Sequence, residues 1–560
     1  MARKKGRSFL YWGIIPLLFL LAFYFLPLST VLKQAVQGFR ASDLDGGLVK
    51  KILDPLGFTI YQALLSTILT ILVGLPISYV FSHFDFKGRR FLQTMVTLPF
   101  ILPTVVVAAA FNSLLGPRGW INLALMQIFD LQTTPIQLMN TLGIILLAHI
   151  FYNTSVFVRV VGAAWSQLEI EQEQAARVLG ANNWQRFWHI TFPLLKQAIL
   201  SAILLVFLFD FTSFGVILLL GGPNFSTLEV EIYLQTTQML NLPLAGILSV
   251  VQILVTMLIS LFALRADKGS VSFLPDIKGT RLRKPENKKQ KILVGFLVGF
   301  IILFFVLPEL GLFLRSFAKL EAQRAEVGNF NTGFTFDFYR ELFNNSRSSL
   351  FYVPPIEALK NSLLYAVSTT LIAGVMGIIA AYSLTHLQQK KLFRVFVSLP
   401  LGTSTVTLGL GFLLVFTRLD FFQQFPQTLI PIAHALVALP VVVSTLYPAF
   451  SAIPQNMHTA AATLGARKIQ ILTKIDLPLI RNSLTVAALY AFVLSLGEFG
   501  ATSFLTRPEY PTLPIAIYRY LSLPGSLNYG QAMAMACILM VVCALSMFAM
   551  EEWFPQKRKL

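Results

Sequence analysis

Ionisable side chains inside long apolar stretches are the first candidates for chemistry, because burying them in hydrocarbon is costly. Asp210 and Glu498 lie at nearly equivalent depths of two such stretches, and Glu498 corresponds to Ser213, one helical turn from Asp210. Carboxylates placed there would attract a cationic solute. The plainer alternative is a hydrogen-bonded packing pair or a helix end reaching water. His149 and His434 also recur in matching Ala-His contexts. Two histidines supply only two ligands, so packing hydrogen bonds are the simpler role and no metal site is assigned. The chain has no Gly-x-x-x-x-Gly-Lys-Ser/Thr phosphate loop, no His-Glu-x-x-His zinc motif and no Gly-x-Ser-x-Gly nucleophile elbow. It therefore reads as a non-enzyme without a cofactor of its own, and any work it does draws on energy from another subunit.

The elements that must position these residues are set by composition. Hydrophobic residues make up 55% of the 560 positions and charged residues 12%, with 49 Phe; mean hydropathy is +0.69. A soluble globule of this size cannot hide that much apolar surface, so the chain belongs in a bilayer. Cys537 and Cys543 share one apolar stretch but not one helical face, which argues against a disulfide. The net charge of +18 comes from short basic clusters between apolar runs. That is the pattern of cytoplasmic loops rather than of nucleic-acid binding.

A helix needs about 20 apolar residues to cross roughly 30 Å of hydrocarbon. Candidates fall near 10–34, 58–83, 91–116, 140–163, 196–221 and 242–266, then near 292–316, 360–386, 392–416, 428–450, 480–505 and 531–551. The fold expected is an all-α membrane protein of 12 transmembrane helices in two parallel six-helix repeats. The first repeat covers 1–266, a basic cytoplasmic linker 267–291, and the second repeat 292–560. Arg3, Lys4, Lys5 and Arg7 place the N-terminus in the cytoplasm, the first segment being a retained anchor. An even number of spans returns Lys557, Arg558 and Lys559 to the same side. The external loop 317–357, of about 40 residues, is too short for a ligand-binding domain of its own.

The halves match in one register 285 residues apart. Ala148-His149 pairs with Ala433-His434, Leu179-Gly180-Ala181 with Leu464-Gly465-Ala466, Pro193-Leu194 with Pro478-Leu479, Phe214-Gly215 with Phe499-Gly500, and Ile232-Tyr233 with Ile517-Tyr518. Upstream, Leu98-Pro99 pairs with Leu399-Pro400 at a spacing of 301. Halves that enter from the same side form a parallel repeat about an axis along the membrane normal, and a path between them suits a substrate. Topology alone also fits a proton-coupled 6+6 secondary transporter.

A repeated cytoplasmic segment separates these options. Between spans four and five come Gln174, Ala175 and Ala176, then Gly180, Ile190 and Pro193; between spans ten and eleven come Thr459, Ala460 and Ala461, then Gly465, Ile475, Leu477 and Pro478. The spacing reads as helix–turn–helix. The alanines permit close approach of a partner, and Gly180 and Gly465 suit a turn with φ > 0. A short second helix over roughly 182–190 and 467–475 comes next, after which Pro193 and Pro478 restart the chain toward the next span.

This pattern resembles the EAA loop of ATP-binding-cassette (ABC) importer permeases: Glu-Ala-Ala, three residues, Gly, nine residues, Ile, one residue, Leu-Pro. Over nearly the whole chain the sequence looks like the fused, two-in-one permeases of the ferric-iron and thiamine importers, with support from Gly116-Pro-Arg-Gly-Trp120 and Ser495-Leu-Gly-Glu-Phe-Gly500. Gln174 and Thr459 stand where the family has Glu, and Phe192 replaces the first Leu. The resemblance implies a type I importer permease fold in a bacterial inner membrane. It implies two copies of a cytoplasmic ATPase that bind ATP-Mg and grip the two loops, an extracytoplasmic solute-binding protein, and a small solute such as ferric iron or thiamine moved by alternating access.

Overall fold

In the computed structural model, residues 5–37, 46–168, 175–176, 178–266, 282–322, 330–344, 354–386 and 390–553 are described. Gln174, the linker over 267–281 and the terminal basic residues Arg3, Lys4, Lys557, Arg558 and Lys559 lie outside these. Nine described helices are long and apolar enough to cross a membrane: Trp12–Gln37, Gly47–His83, Leu142–Ser166, Trp184–Phe211, Leu242–Phe262, Lys288–Arg315, Pro355–His386, Pro426–Ser451 and Ser526–Met550. Counting each of three bent pairs as one span gives twelve: Arg89–Phe100 with Thr104–Phe129, Leu392–Gly402 with Thr405–Phe416, and Lys468–Leu479 with Arg481–Gly497. All twelve expected segments are thus helical. An antiparallel hairpin, Ala318–Ala322 with Phe330–Phe334, lies in the loop after span seven.

Proline chemistry explains where the spans bend. The third span turns by 115° around Pro103 and the ninth by 94° near Pro400. In both, a 3₁₀ turn opening on Leu-Pro ends the first segment, because proline has no N–H to continue the ladder. By contrast, Pro440 and Pro448 are accommodated inside the continuous tenth span.

A gentler device occurs four times. Leu21–Phe25, Phe187–Thr191, Ile302–Val306 and Leu472–Asp476 are single π-helical turns. Each is succeeded by one residue and then a proline, namely Pro27, Pro193, Pro308 and Pro478. The residue before each proline donates its N–H five positions back: Leu26 to Leu21, Phe192 to Phe187, Leu307 to Ile302 and Leu477 to Leu472. Widening the turn relieves the clash between a proline ring and the carbonyl four residues earlier.

The first spans of the two halves are exchanged. Span one packs on the second half through its middle, where Tyr24 Oη lies 2.6 Å from Thr403 Oγ1, Phe23 lies 5.5 Å from Phe416 and Gly411 admits the backbone of Pro27, while its last turns also meet span six of its own half at Gly246. Span seven packs on the first half. Phe305 stacks on Phe151 at 5.5 Å, and Trp120 Nε1 donates to the Gly311 carbonyl at 3.0 Å. Buried side chains form two main clusters, and each draws on both ends of the sequence. Arg283, at the end of the linker, is bridged to the turn after span two: Asp85 N–H donates to Arg283 O at 3.0 Å and Arg283 N–H to His83 O at 3.1 Å.

Candidate functional site

The paired levers keep the turn that their glycines predict. Gly180 has φ +87° and Gly465 φ +82°. Ala181 N–H donates to Ala176 O at 3.0 Å, and Ala466 N–H to Ala461 O at 3.0 Å, the six-to-one bond that closes a helix on a left-handed residue. A Cβ on either glycine would meet nothing within 4 Å, so the backbone alone demands glycine there. The residue before each glycine is among the most exposed large apolar groups: Leu179 is 87% and Leu464 88% accessible. Val178, Trp184 and Ile469 extend this apolar surface. With the bent pair Leu392–Gly402 and Thr405–Phe416 counted as one span, six spans separate the two loops, an even number that returns the chain to the same side. Ala175, Thr459 and Ala460 are exposed, and the repeat partners Ala176 and Ala461 are half-buried.

Past the turn, the chain departs from the expectation. Pro193 does not restart it: the lever helix runs unbroken from Trp184 to Phe211 through the π turn. Ile190 and Pro193 are therefore part of one rod with span five. In the second half, Ile475, Leu477 and Pro478 belong to a segment that meets span eleven at 80°, after Leu479. There His458 Nε2 lies 2.7 Å from Asp476 Oδ1, tying the two arms of the lever together.

The predicted histidines and carboxylates come together, but within each half rather than across the seam. His149 Nδ1 lies 3.0 Å from Ser66 Oγ and 3.4 Å from Asp210 Oδ1, and Nε2 lies 2.9 Å from Ser213 Oγ. Asn153 Nδ2 donates to Asp210 Oδ1 at 2.6 Å. In the second half, His434 Nδ1 lies 2.7 Å from Ser495 Oγ, while Nε2 lies 2.8 Å from Thr502 Oγ1 and 3.2 Å from Glu498 Oε2. Glu498 also accepts from Ala501 N–H, Thr502 N–H and Thr502 Oγ1 at 2.9, 3.0 and 2.6 Å. Both histidines and both carboxylates are buried. Among the described residues no three His, Cys, Asp or Glu side chains converge on a metal position. The geometry is that of two helix clasps, one holding spans four and five to span two through Ser66, the other holding spans ten and eleven to span eight, where Ser495 Oγ lies 3.1 Å from Thr369 Oγ1.

Three features escape the sequence reading. Thr59 Oγ1 accepts Leu228 N–H at 3.0 Å and Ser362 Oγ accepts Leu513 N–H at 2.7 Å, pinning the short helices Leu228–Thr237 and Leu513–Ser522 to spans two and eight. Arg159 reaches across the seam to Tyr490 Oη at 3.2 Å, with its guanidinium over Phe100. Glu229, on the short helix between spans five and six, is 1% exposed. It accepts from Gln252 Nε2 and, at 2.5 Å, from Ser404 Oγ of the other half. Ser404 in turn accepts Val406 and Thr407 N–H, capping the helix after the break in span nine. Burial pushes the Glu229 carboxyl up to about 8, against the lowering effect of the bonds from Ser404 and Gln252.

The halves meet on aromatic rings. Phe214 and its repeat partner Phe499 face one another at 5.5 Å and 23°. Tyr233 stands edge-on to Phe214 at 5.3 Å, and Tyr518, its partner in the repeat, edge-on to Phe499 at 5.7 Å. The glycine after each phenylalanine explains the close approach. A Cβ on Gly215 would lie 2.3 Å from Thr104 Oγ1, and one on Gly500 2.1 Å from Thr405 Oγ1. Each Phe-Gly step is thereby seated on the first residue after the break in span three or nine.

Comparison with known proteins agrees with this arrangement. Residues 59–268 and 373–559 each match the family described as "Binding-protein-dependent transport system inner membrane component". The thiamine transport system permease protein of Brucella abortus (strain 2308) is 28% identical over 501 residues, covering 88% of this chain and 86% of its own. That of Haemophilus influenzae is 26% identical over 542 residues, covering 95% and 94%. A putative 2-aminoethylphosphonate transport system permease protein of Salmonella paratyphi A is 26% identical over 273 residues, covering 48% of this chain and 94% of its own.

Proposed function

The chain belongs to the family of binding-protein-dependent transport system inner membrane components, and from that premise we propose that it carries thiamine inward, driven by a partner ATPase. It is the multi-pass permease subunit of an ABC importer, with both permease units fused in one polypeptide; the proton-coupled alternative is not favoured. The substrate is inferred from the thiamine permeases of Brucella abortus and Haemophilus influenzae, which match over most of both chains, whereas the aminoethylphosphonate relative spans half of this chain and iron transport is supported less directly.

The carrying observation is the matched pair of levers. Gly180 and Gly465 turn in the same left-handed conformation, and Leu179 and Leu464 stand exposed beside them on one membrane face. Apolar groups held out in this way want a partner. We assign that partner as two ATPase subunits that bind ATP-Mg, one per lever, on the cytoplasmic side with both termini. The Glu of the family's loop is absent at Gln174 and Thr459, so docking rests on the apolar residues. A solute-binding protein delivers thiamine to the opposite face. When the ATPases close, the levers draw together and the halves rock about the aromatic seam.

Asp210, Ser213, Glu498, His149 and His434 then act as clasps that keep each half rigid while it moves. Co-reconstitution in liposomes with the ATPase and the binding protein tests the whole reading. Thiamine accumulates only with ATP on the ATPase side; accumulation by the permease alone, without nucleotide, rejects it.

A further inference from the structure

We propose that Phe214 and Phe499 form a stacking slot for the flat, positively charged ring of the solute as it passes between the halves. The proposal rests on the thiamine reading above and adds to it a place in this chain where the thiazolium and pyrimidine rings are met.

Three observations converge on these side chains. First, the buried acids nearest the seam are held by neighbours in the protein, Glu229 by Gln252 and Ser404 and Asp210 through one of its two carboxylate oxygens. Asp210 is bonded to Asn153 and lies beside His149, and Glu498 is bonded to Thr502, to two backbone N–H groups and to His434, all inside their own halves. Attraction of positive charge at the seam falls instead to ring faces, which carry the negative side of the aromatic quadrupole.

Second, the two phenylalanines are repeat partners whose near-parallel faces point at each other across the seam, with Tyr233 and Tyr518 as side walls. At 5.5 Å between centroids they touch one another and exclude a guest. A flat ring held at van der Waals distance on both faces needs the centroids about 7 Å apart. The opening required is therefore small. Tyr518 also borders a cavity of about 220 Å³ with Ala108, Asn112, Leu218 and Ser522, so space lies beside that wall, although the two phenylalanines do not line it.

Third, each ring is fixed to its own half. Gly215 is seated against Thr104 and Gly500 against Thr405. Movement of the halves as bodies must part the rings, and return of the halves must close them behind the solute.

The alternative is an apolar plug in which aromaticity has no part. Phe214→Leu/Phe499→Leu keeps apolar bulk and removes both π faces; Phe214→Tyr/Phe499→Tyr keeps the faces. Each is reconstituted with the ATPase and binding protein, and uptake of radiolabelled thiamine is read beside ATP hydrolysis stimulated by the loaded binding protein. The expected result is that the Leu pair loses thiamine uptake by about thirtyfold, the scale of a desolvated cation–π contact, while stimulated hydrolysis persists and the Tyr pair transports. Wild-type thiamine uptake in the Leu pair overturns the slot alone, as does equal failure of the Leu and Tyr pairs. Absence of thiamine uptake by the wild-type assembly overturns the substrate reading, and the slot with it.

Discussion

Asp210 and Ser495 occupy the same position of the repeat, yet they hold opposite ends of the same kind of clasp. Asp210 approaches His149 at Nδ1, and Ser213, one turn later, takes Nε2. In the second half the hydroxyl of Ser495 takes Nδ1 and the carboxylate of Glu498 approaches Nε2. Acid and hydroxyl have traded places around a fixed imidazole. The shared requirement is a buried polar partner on each ring nitrogen, since an unpaired buried donor or acceptor is expensive.

Removing one partner exposes that cost. Asp210→Ala strands Asn153 Nδ2, while His149 Nδ1 keeps Ser66, and should destabilise the protein by about 1–3 kcal/mol. The double change Asp210→Ser, Ser213→Glu rebuilds the arrangement of the second half and should recover most of the loss. Thermal unfolding of the purified proteins in detergent reads both. Equal stability of Asp210→Ala and wild type would remove the clasp interpretation.

The lever glycines make a separate prediction, because nothing crowds them. Gly180→Ala and Gly465→Ala meet no neighbour within 4 Å, so their only penalty is the left-handed backbone, about 1–2 kcal/mol each. That is small for a protein this size but concentrated in a lever tip. Loaded-binding-protein stimulation of the ATPase should fall in both variants while thiamine-independent folding, read by gel filtration, is unchanged. Asparagine, which tolerates this conformation better, should recover more coupling than alanine.

Much of this was legible from spacing. The 285-residue register predicts the turn at both glycines, through short-range φ preference, and marks His149 with His434 and Phe214 with Phe499 as equivalent positions, whereas the contact of the two rings across the seam was not legible in it. The exchange of spans one and seven was not legible, since lipid-facing and protein-facing apolar surface read alike in sequence. Ser66 and Thr369 were hidden for another reason. They are repeat partners 303 positions apart, as are Thr59 and Ser362, so the 285 register does not pair them. The expected restart at Pro193 failed because a single π turn absorbs a proline without ending the helix.

His458 and Asp476 give the second lever a brace. Their 2.7 Å contact spans the two arms, and the corresponding pair in the 285 register is Glu173 and Thr191, which lacks the imidazole. His458→Ala should therefore loosen the second lever. Stimulated ATP hydrolysis should drop by about half or more, with Asp476 left as a buried carboxylate without its partner. Protease accessibility of the loop around Gly465 should rise in the variant, and unchanged accessibility would exclude a bracing role.

Glu229 supplies a pH signature specific to the seam. Its carboxyl bridges Gln252 of its own half and Ser404 of the other, whereas the repeat-related positions are Pro514, Cys537 and Pro103, none of which carries a carboxyl or amide side chain. Burial raises it from 4.5 to about 8, so the folded protein holds this proton where the unfolded chain has lost it. A raised pKa contributes stability that is fully present below the unfolded value and is lost as pH rises through the folded value. Between pH 4.5 and about 8 the wild-type unfolding temperature should accordingly decline through this group. Glu229→Gln keeps a neutral partner for Ser404 at every pH and should flatten the profile over that window. A decline of equal slope in Glu229→Gln would place the titrating group elsewhere.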